Sequence, residues 1–417
     1  MLAMKQVTAI LLGAGQRGAD VYARYALSYP TELKMVGVAE PRKDRREEFA
    51  ALHNIPAENC VESWEEILQR DKFADCIFVA TQDRMHFEPV VQALRKGYHV
   101  LCEKPMSHDR EELLEMNRVA KETGNVLSIC HVLRYSPFFV KIRQLLDSGA
   151  IGQLVSIQHI ESVGYWHMAH SFVRGNWRNS EETSPIILAK CCHDLDILNW
   201  LVGSKVKMVS SFGSLAHFNA DHRPEGAPDY CMDGCEHRDT CPYYAPRFYL
   251  EHPKSLTDGF ARTVSIDTSA EKILEALKTG PYGRCVYACD NNVADNQVVN
   301  LMYENGVTVG MTVCAFTEHC ERIINLMGSH GQIRGNMENN TIELIDFATG
   351  NVDTIQLHTP AGGHSGSDVS MMKDFVRLIA SGSTASKSSS ERSVESHLTA
   401  LAAEESRRNN GMPVYFG

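Results

Sequence analysis

Apolar and polar positions along the first 125 residues follow two alternating periods. Val7-Thr-Ala-Ile-Leu-Leu12 is a short apolar run that ends at a glycine, which predicts a buried parallel strand. Lys34 to Ala39, Asp75 to Ala80, His99 to Cys102 and Val126 to Ile129 repeat that pattern. Between them, Gly18 to Ser28, Arg45 to His53, His86 to Lys96 and Arg110 to Glu122 carry helical periodicity. Strand and helix in this rhythm predict right-handed crossovers and a parallel sheet with helices on both faces. After about residue 150 the strand-like stretches follow one another: Leu154 to Ser162, Val206 to Leu215, Val298 to Tyr303, Thr308 to Ala315, Ile323 to Met327 and Thr341 to Asp346. These predict an open, mostly antiparallel sheet. His193 to Leu201, Asp368 to Ile379 and Glu391 to Arg407 read as helices beside it. Asp221 to Tyr244, rich in Pro, Gly, Cys, Asp and His, reads as a long loop, and Ser381 to Ser390 as a connector.

The expected fold class is therefore an α/β N-terminal Rossmann domain plus an α+β C-terminal domain. The boundaries are 1–130 for the first domain and 131–417 for the second, with a Cys-rich loop at 221–244. A chain of 417 residues suits two to three domains. At 43% hydrophobic and 22% charged residues it is an ordinary globular composition, neither disordered nor fibrous. The net charge of −11, with no basic run, argues against a nucleic-acid partner. No apolar run approaches the ~20 residues of a membrane span, and Met1 to Lys5 has no signal-peptide architecture. A cytoplasmic location is expected. The 13 cysteines then suit free thiols and one metal site better than a disulfide framework.

Gly13-Ala-Gly15-Gln-Arg-Gly18 matches G-x-G-x-x-G between the first strand and a helix, the context the motif requires. The first glycine permits the turn, the second lets the backbone approach a pyrophosphate, and the third lets the helix pack on the sheet. The helix N-terminus adds free N–H groups and a positive dipole end. Glu40, at the end of the second strand, is placed to accept hydrogen bonds from ribose hydroxyls and to repel a 2′-phosphate. NAD is favoured over NADP, with Arg42 and Arg45 close by.

The fourth strand runs into Cys102-Glu103-Lys104-Pro105, preceded by Ala80-Thr-Gln-Asp-Arg-Met-His86 and followed by Arg134-Tyr-Ser-Pro137 and Gly149-Ala-Ile-Gly152. This series resembles the Gfo/Idh/MocA family, the glucose–fructose oxidoreductase and inositol dehydrogenase group, over nearly the whole chain. The resemblance implies NAD(P), a sugar or polyol substrate, and homodimers or homotetramers built through the C-terminal sheet face. Gly13, Gly15, Gln16, Arg17, Gly18, Glu40, Thr81, His86, Glu103 and Lys104 form the candidate cofactor-binding set. Lys104 follows the C-terminal end of a parallel strand, the edge at which open α/β sheets bind ligands. There its ammonium can stabilise a developing alkoxide. Lys104–Pro105 is a candidate cis bond.

Cys191-Cys-His193-Asp-Leu-Asp196 resembles the family's second signature, and His193 matches the family's proton acceptor. A histidine suits that task because it titrates near working pH. The chain departs from the pattern at Ala189, where most relatives carry a carboxylate, and Lys190 is adjacent. His167, His170, Arg174 and Trp177 form a segment dense in aromatic and hydrogen-bonding groups that fits carbohydrate rings. Arg284, Tyr287 and His364 are further candidates for the substrate pocket, and Asp368 for an N-cap.

The expected reaction is oxidation of a hydroxyl carbon. His193 takes the hydroxyl proton, Lys104 steadies the alkoxide, and hydride passes to the nicotinamide. The alternative is an NAD-dependent glycoside hydrolase that oxidises transiently, eliminates, adds water and re-reduces. A third class is a non-catalytic sugar-nucleotide sensor, against which intact Lys104 and His193 argue. Cys231-x3-Cys235-x5-Cys241 places three thiols within reach of one ion, with Cys192 as the candidate fourth ligand and Cys191, His217 and His237 as alternatives. Zn²⁺, an iron–sulfur cluster, buried reduced thiols and a redox-active pair all remain open readings. Cys285 and Cys289 read as a near pair on a strand.

Overall fold

The computed structural model describes residues 5–257, 259–358 and 366–416. Six parallel strands form the first sheet: β1 (Val7–Leu12), β2 (Leu33–Ala39), β3 (Cys60–Val61), β4 (Cys76–Val79), β5 (His99–Cys102) and β6 (Leu127–Ile129). Their order is β3-β2-β1-β4-β5-β6, the doubly wound arrangement whose ligands bind at the strands' C-terminal ends. The apolar runs are continuous because both faces are covered: Leu11 and Phe78 face one core, and Ile10, Leu12 and Ile77 the other. The crossover helices have readable ends. Asp109 caps Arg110–Thr123 by accepting from the Glu111 and Glu112 N–H groups, and Gly124 closes that helix in the left-handed region at φ 66°.

Nine strands form the second sheet: β7 (Leu154–Ser162), β8 (Val206–Ser214), β9 (Asn296–Tyr303), β10 (Thr308–Cys314), β11 (Glu321–Gly328), β12 (Gly331–Asn336), β13 (Thr341–Asp346), β14 (Val352–Gln356) and β15 (Val414–Tyr415). The order is β14-β13-β12-β11-β7-β10-β9-β8-β15. Within this second sheet, among the described residues, only β10 and β7 pair in parallel. Period-two burial on β9, with Gln297, Val299, Leu301 and Tyr303 inward, turns one face toward the helices Pro137–Asp147, Cys192–Val202 and Ser390–Arg408.

Two features depart from the sequence reading. Cys285 and Cys289 lie in a turn, with the Cys289 thiol on the Cys285 carbonyl at 3.2 Å, because this stretch belongs to an insertion between β8 and β9. That insertion also carries the helices Ala245–Glu251, Pro253–Thr257, Phe260–Val264 and Ala270–Thr279 around a small core that includes Tyr249, Ile273 and Leu277. Helix Ser367–Ser381 then returns to the first sheet and lays Met371, Met372, Phe375 and Val376 on the core that contains Phe78. Its N-cap is Gly366; Asp368 sits inside the first turn and bonds Arg17 instead. The following segment adds to β6 through Ile129 N–H to the Ser388 carbonyl at 2.8 Å.

Candidate active site

The glycine turn has the shape a dinucleotide needs. Gly13 has φ +90°, and a Cβ there would stand 2.6 Å from the Ala80 carbonyl oxygen. A Cβ on Gly18 would stand 2.3 Å from the Gly13 carbonyl oxygen, so this residue lets helix and strand touch. A Cβ on Gly15 would meet only the Arg45 guanidinium, at 3.7 Å, which leaves backbone open to a ligand. Glu40 lies beside the turn, its two carboxylate oxygens accepting the Ala14 N–H at 2.7 Å and the Arg42 N–H at 3.0 Å. Both oxygens retain lone pairs for ribose hydroxyls. The cavity at this edge is lined by Ala14, Gly15 and Gln16 on one side and Gly259, Arg262 and Ile266 on the other. These residues fit an NAD: cradle, carboxylate and covered cleft coincide.

Not every member of the candidate cofactor set faces that cleft. Arg17 turns inward, donating to Glu103 at 2.9 Å and Asp368 at 2.7 Å over the Tyr22 ring. Glu103 also accepts from the Tyr22 hydroxyl and from the Lys104 N–H at 2.7 Å. Burial would raise its carboxyl, but Arg17 and Lys104 outweigh burial and hold it below the usual range. His86 is buried, its ring nitrogens 2.7 Å from the Pro105 carbonyl and 3.1 Å from that of Thr81. Arg17, Glu103 and His86 therefore brace the Lys104 loop. The Thr81 hydroxyl rests on the Met85 carbonyl. Lys104–Pro105 is cis.

Lys104 crosses to the second sheet's layer. Its Nζ donates to the Ala189 carbonyl at 2.8 Å, at the end of the helix Ile186–Ala189. Burial is the main influence on Cys192, His131, His167 and His397, and the Lys104 charge acts behind it, opposing the rise of the Cys192 thiol and adding to the fall of the three histidines. His193 sits in the first turn of Cys192–Val202, nearly buried, its ring edge-to-face with His131 at 5.6 Å. The two acids after it are anchors. Asp194 bonds His159 at 2.8 Å and Arg322 at 2.8 Å; Asp196 forms a two-pronged pair with Arg134 at 2.6 and 2.9 Å. Burial opposes ionisation of Asp194, and Arg322 with His159 overcomes it, holding the carboxyl well down.

The sequence reading missed a second group. Glu161 on β7 lies opposite Arg322 on β11 and pairs with it at 3.0 Å, and with Lys190 at 3.2 Å. The Lys190 and Arg322 charges reach His167, whose Nδ1 is 3.5 Å from the Cys320 sulfur. Burial first, then Lys190, drives His167 well below its ordinary value, so the ring is neutral. Lys104, Lys190, Arg322 and His167 thus form one polar wall.

Other expected substrate residues are used elsewhere. His170 bonds the Tyr249 hydroxyl at 2.8 Å and stacks on Tyr282 at 4.7 Å, inside the insertion's aromatic core. Arg174, 1% exposed, donates to the Arg284 carbonyl at 2.7 Å and the Tyr243 carbonyl at 2.6 Å. Trp177 donates to Asp83 at 3.1 Å and so ties the two sheets' layers together. Arg284 joins Arg178 on Asp290, and Tyr287 meets His217 at 3.2 Å. His364 lies outside the described residues.

The cysteine loop is also redrawn. Cys231, Cys235, Cys241 and Cys285 line one small cavity with His237 and Arg174. Cys192 is not with them: it is buried beside His193, and burial pushes its thiol up to about 12. Among the described residues no group of three or more His, Cys, Asp or Glu is arranged to hold a metal ion. The thiols do not fit a zinc or iron–sulfur site as they stand.

Comparison with known proteins agrees with the fold. The Gfo/Idh/MocA oxidoreductase model for the NAD-binding Rossmann fold matches residues 7–131, and that for the C-terminal alpha/beta domain matches 143–409. YteT of Bacillus subtilis, which carries an oxidoreductase name, is 24% identical over 389 residues, 88% of this chain and 87% of that protein. The scyllo-inositol 2-dehydrogenase (NAD⁺) of the same organism is 25% identical over 287 residues, 68% and 70% of the two chains. A levoglucosan dehydrogenase solved with NADH and L-sorbose shares the fold at TM-score 0.73 and 17% identity, over 99% of this chain and 100% of that one. No described helix is long and apolar enough to cross a membrane.

Proposed function

The chain belongs to the Gfo/Idh/MocA oxidoreductase family and is a nicotinamide-dependent oxidoreductase, and from that premise we propose that it oxidises a secondary hydroxyl of a sugar or polyol, with His193 and Lys104 as its catalytic pair. One observation carries the assignment. The Lys104 ammonium, on the loop after β5, bonds the Ala189 carbonyl at 2.8 Å, four residues before His193. That contact brings the lysine to the backbone turn that leads into His193, which supports reading the two as a pair.

The glycine turn would hold the pyrophosphate of an NAD, which would supply the hydride acceptor. His193 accepts the hydroxyl proton in its neutral form. Lys104 stabilises the alkoxide as its charge grows, from a position fixed by Ala189 and by Glu103 beneath. The wall of Lys190, Arg322 and His167 orients the remaining hydroxyls. Substrates of this class are supported by the dehydrogenase relatives. Glu40 favours NAD over NADP, and Glu40→Ala should narrow the ratio of the two dissociation constants. The 13 free thiols suit a reducing, cytoplasmic setting.

The experiment is a screen of inositols, aldoses, polyols and glycosides with NAD, following NADH absorbance and aglycone release together. NADH in proportion to oxidised product is expected. Aglycone release without net NADH reassigns the chain to redox-assisted hydrolysis, and silence on both channels removes the proposal.

A further inference from the structure

Arg42, Arg45 and Arg46 stand at the start of the helix Lys43–His53, which follows β2 and Glu40. The first turn of a helix disfavours cations, because the positive end of its dipole lies there. Two of the three are offset. Arg42 donates to Asp44 at 2.9 Å, and Arg46 donates to Glu62 at 2.9 Å and to the Glu40 carbonyl at 2.5 Å. Arg45 is not: its side chain enters no hydrogen bond or ion pair among the described residues. Its guanidinium instead lines the cofactor cleft, and a Cβ on Gly15 would stand 3.7 Å from its Nη1.

Gly15 is the point of the turn at which the backbone can approach a pyrophosphate. The turn offers that group amides and a dipole end, but no cation. Arg17, the arginine inside the motif, is spent on Glu103 and Asp368. Arg262 reaches the cleft from the insertion after β8, yet it donates to Glu48 at 2.7 Å and lies 3.9 Å from Asp20. A diphosphate is a dianion, and the planar fork of an arginine matches phosphate oxygens two at a time. Among the described cations that line this cleft, Arg45 alone has uncommitted donors. We propose that Arg45 is a diphosphate-binding residue of the cofactor site, its guanidinium supplying the counter-charge for the phosphates that the glycine turn would hold. The proposal rests on the nicotinamide-dinucleotide binding of the family, and not on the catalytic pair.

The walls of the cleft strengthen such a pair. Gly259 has φ +80°, and a Cβ there would stand 2.7 Å from the Gln16 Nε2, so the insertion is drawn against the turn itself. The Arg262–Glu48 pair then ties the helix Phe260–Val264 to the helix that carries Arg45. Charges that meet between two walls are screened less by water and salt than charges on an open surface. The carboxylates around Arg45 are engaged elsewhere. Glu48 holds Arg262, and Asp20, which burial raises, feels Arg262 ahead of Arg45. Glu40 accepts the Ala14 and Arg42 N–H groups. Ribose and phosphates are thus served by different side chains of one segment.

The test is calorimetric titration of the full-length protein with NADH, ADP-ribose and NADPH. ADP-ribose keeps the diphosphate and lacks the nicotinamide. Wild type is compared with Arg45→Gln, Arg45→Lys and Arg42→Gln; Arg42→Gln removes the same charge three residues away. Arg45 lies outside the packed cores, so circular dichroism should not change. Arg45→Gln should weaken NADH and ADP-ribose by the same factor, about 10- to 100-fold. Lysine should recover part of that loss, because it keeps the charge and loses the fork. Arg42→Gln should stay within about two-fold for both ligands. ADP-ribose bound by Arg45→Gln within about two-fold of wild type overturns the proposal. So does a loss confined to NADPH, which would place Arg45 at a 2′-phosphate, or a loss that lysine leaves untouched, which would place it flat on the adenine. An equal loss in Arg42→Gln reduces the effect to general charge and also overturns it. If wild type binds none of the three ligands, the cofactor reading falls and this proposal with it. A silent substrate screen beside the expected titrations removes the oxidation proposal and leaves the Arg45 assignment supported.

Discussion

Single residues decide the chemistry, and Lys104 is the sharpest case. Among the described residues its Nζ donates to one backbone carbonyl, and on the proposed reading its other protons face substrate while the glycine turn would hold the cofactor's phosphates. Lys104→Ala should therefore lower kcat by about 10²–10⁴ and leave NAD affinity within about three-fold. Fluorescence titration against NAD beside steady-state rates checks both halves, and near-normal turnover sinks the assignment. Lys104, His193 and Glu40 were legible in the sequence because each sits in a short motif at the end of a strand or the start of a helix. Glu161 and Arg322 were not. Arg322 meets Glu161 only because β11 pairs with β7 in one register, and no local pattern announces that pairing. The opposite error has the same origin. His170, Arg174 and Trp177 look like sugar-binding groups in sequence, but their polar atoms are consumed by Tyr249, by backbone carbonyls and by Asp83.

At the level of elements, the apolar runs of β1, β2, β4 and β5 and the alternating ones of β7 to β11 could be read because burial on two faces or on one leaves a distinct period. Gly331-Gln-Ile-Arg-Gly-Asn336 is not among the expected strands and yet is β12: a Cβ on Gly331 would meet the Ile345 carbonyl at 2.6 Å, and one on Gly335 the Phe138 ring at 2.6 Å. The helix Ser367–Ser381 was foreseen as a helix, but not its return to the first sheet, since amphipathicity does not name the surface it covers. The insertion after β8 depends on one buried side chain. Arg174 supplies the donors for two carbonyls, of Arg284 and Tyr243, and touches Cys231 at 3.7 Å. Arg174→Leu leaves those carbonyls unpaired and should cost about 2–4 kcal/mol. Urea unfolding of holoenzyme measures it. NAD affinity should remain near normal, because the cofactor cleft lies at the other end of the insertion, and a loss below about 0.5 kcal/mol would show that the guanidinium is dispensable.

Across the whole molecule, buried neutral histidines set how the fold answers acid. His131, His170 and His397 are pushed down to about 4, about 3 and about 3, in each case chiefly by burial. Unfolded, each titrates near 6.5. Between those values the unfolded chain binds more protons, so stability is complete above about pH 6.5 and falls as pH drops toward 4. At pH 5 each histidine contributes a loss of at most about 2 kcal/mol. The buried carboxylates act later: Glu103 and Asp196 are held below their ordinary values, so their contribution disappears only as pH falls through the acid range below about 4. Melting temperature should therefore decline from pH 7 to pH 5, and His397→Phe should flatten that decline if it folds.

The outer face of the second sheet is a question of the same scale. Register aligns Phe212, Val298, Thr312, Ile160 and Ile323 in one row across β8, β9, β10, β7 and β11. The four apolar members are 55%, 42%, 39% and 36% exposed, and the helices pack on the opposite face. A contiguous apolar row on a broad sheet face is the surface a second copy would cover, and a two-fold operator would set the row against itself. The native chain should sediment as a dimer or larger at micromolar concentration. Replacing Val298 and Ile160 by lysine places two charges in the centre of that face, where association would strip their water without supplying a partner. The double variant should sediment as a smaller species while keeping its circular dichroism and its NAD affinity, because the cofactor cleft lies in the other layer. A native monomer, or a double variant that associates as before, removes this face from the interface.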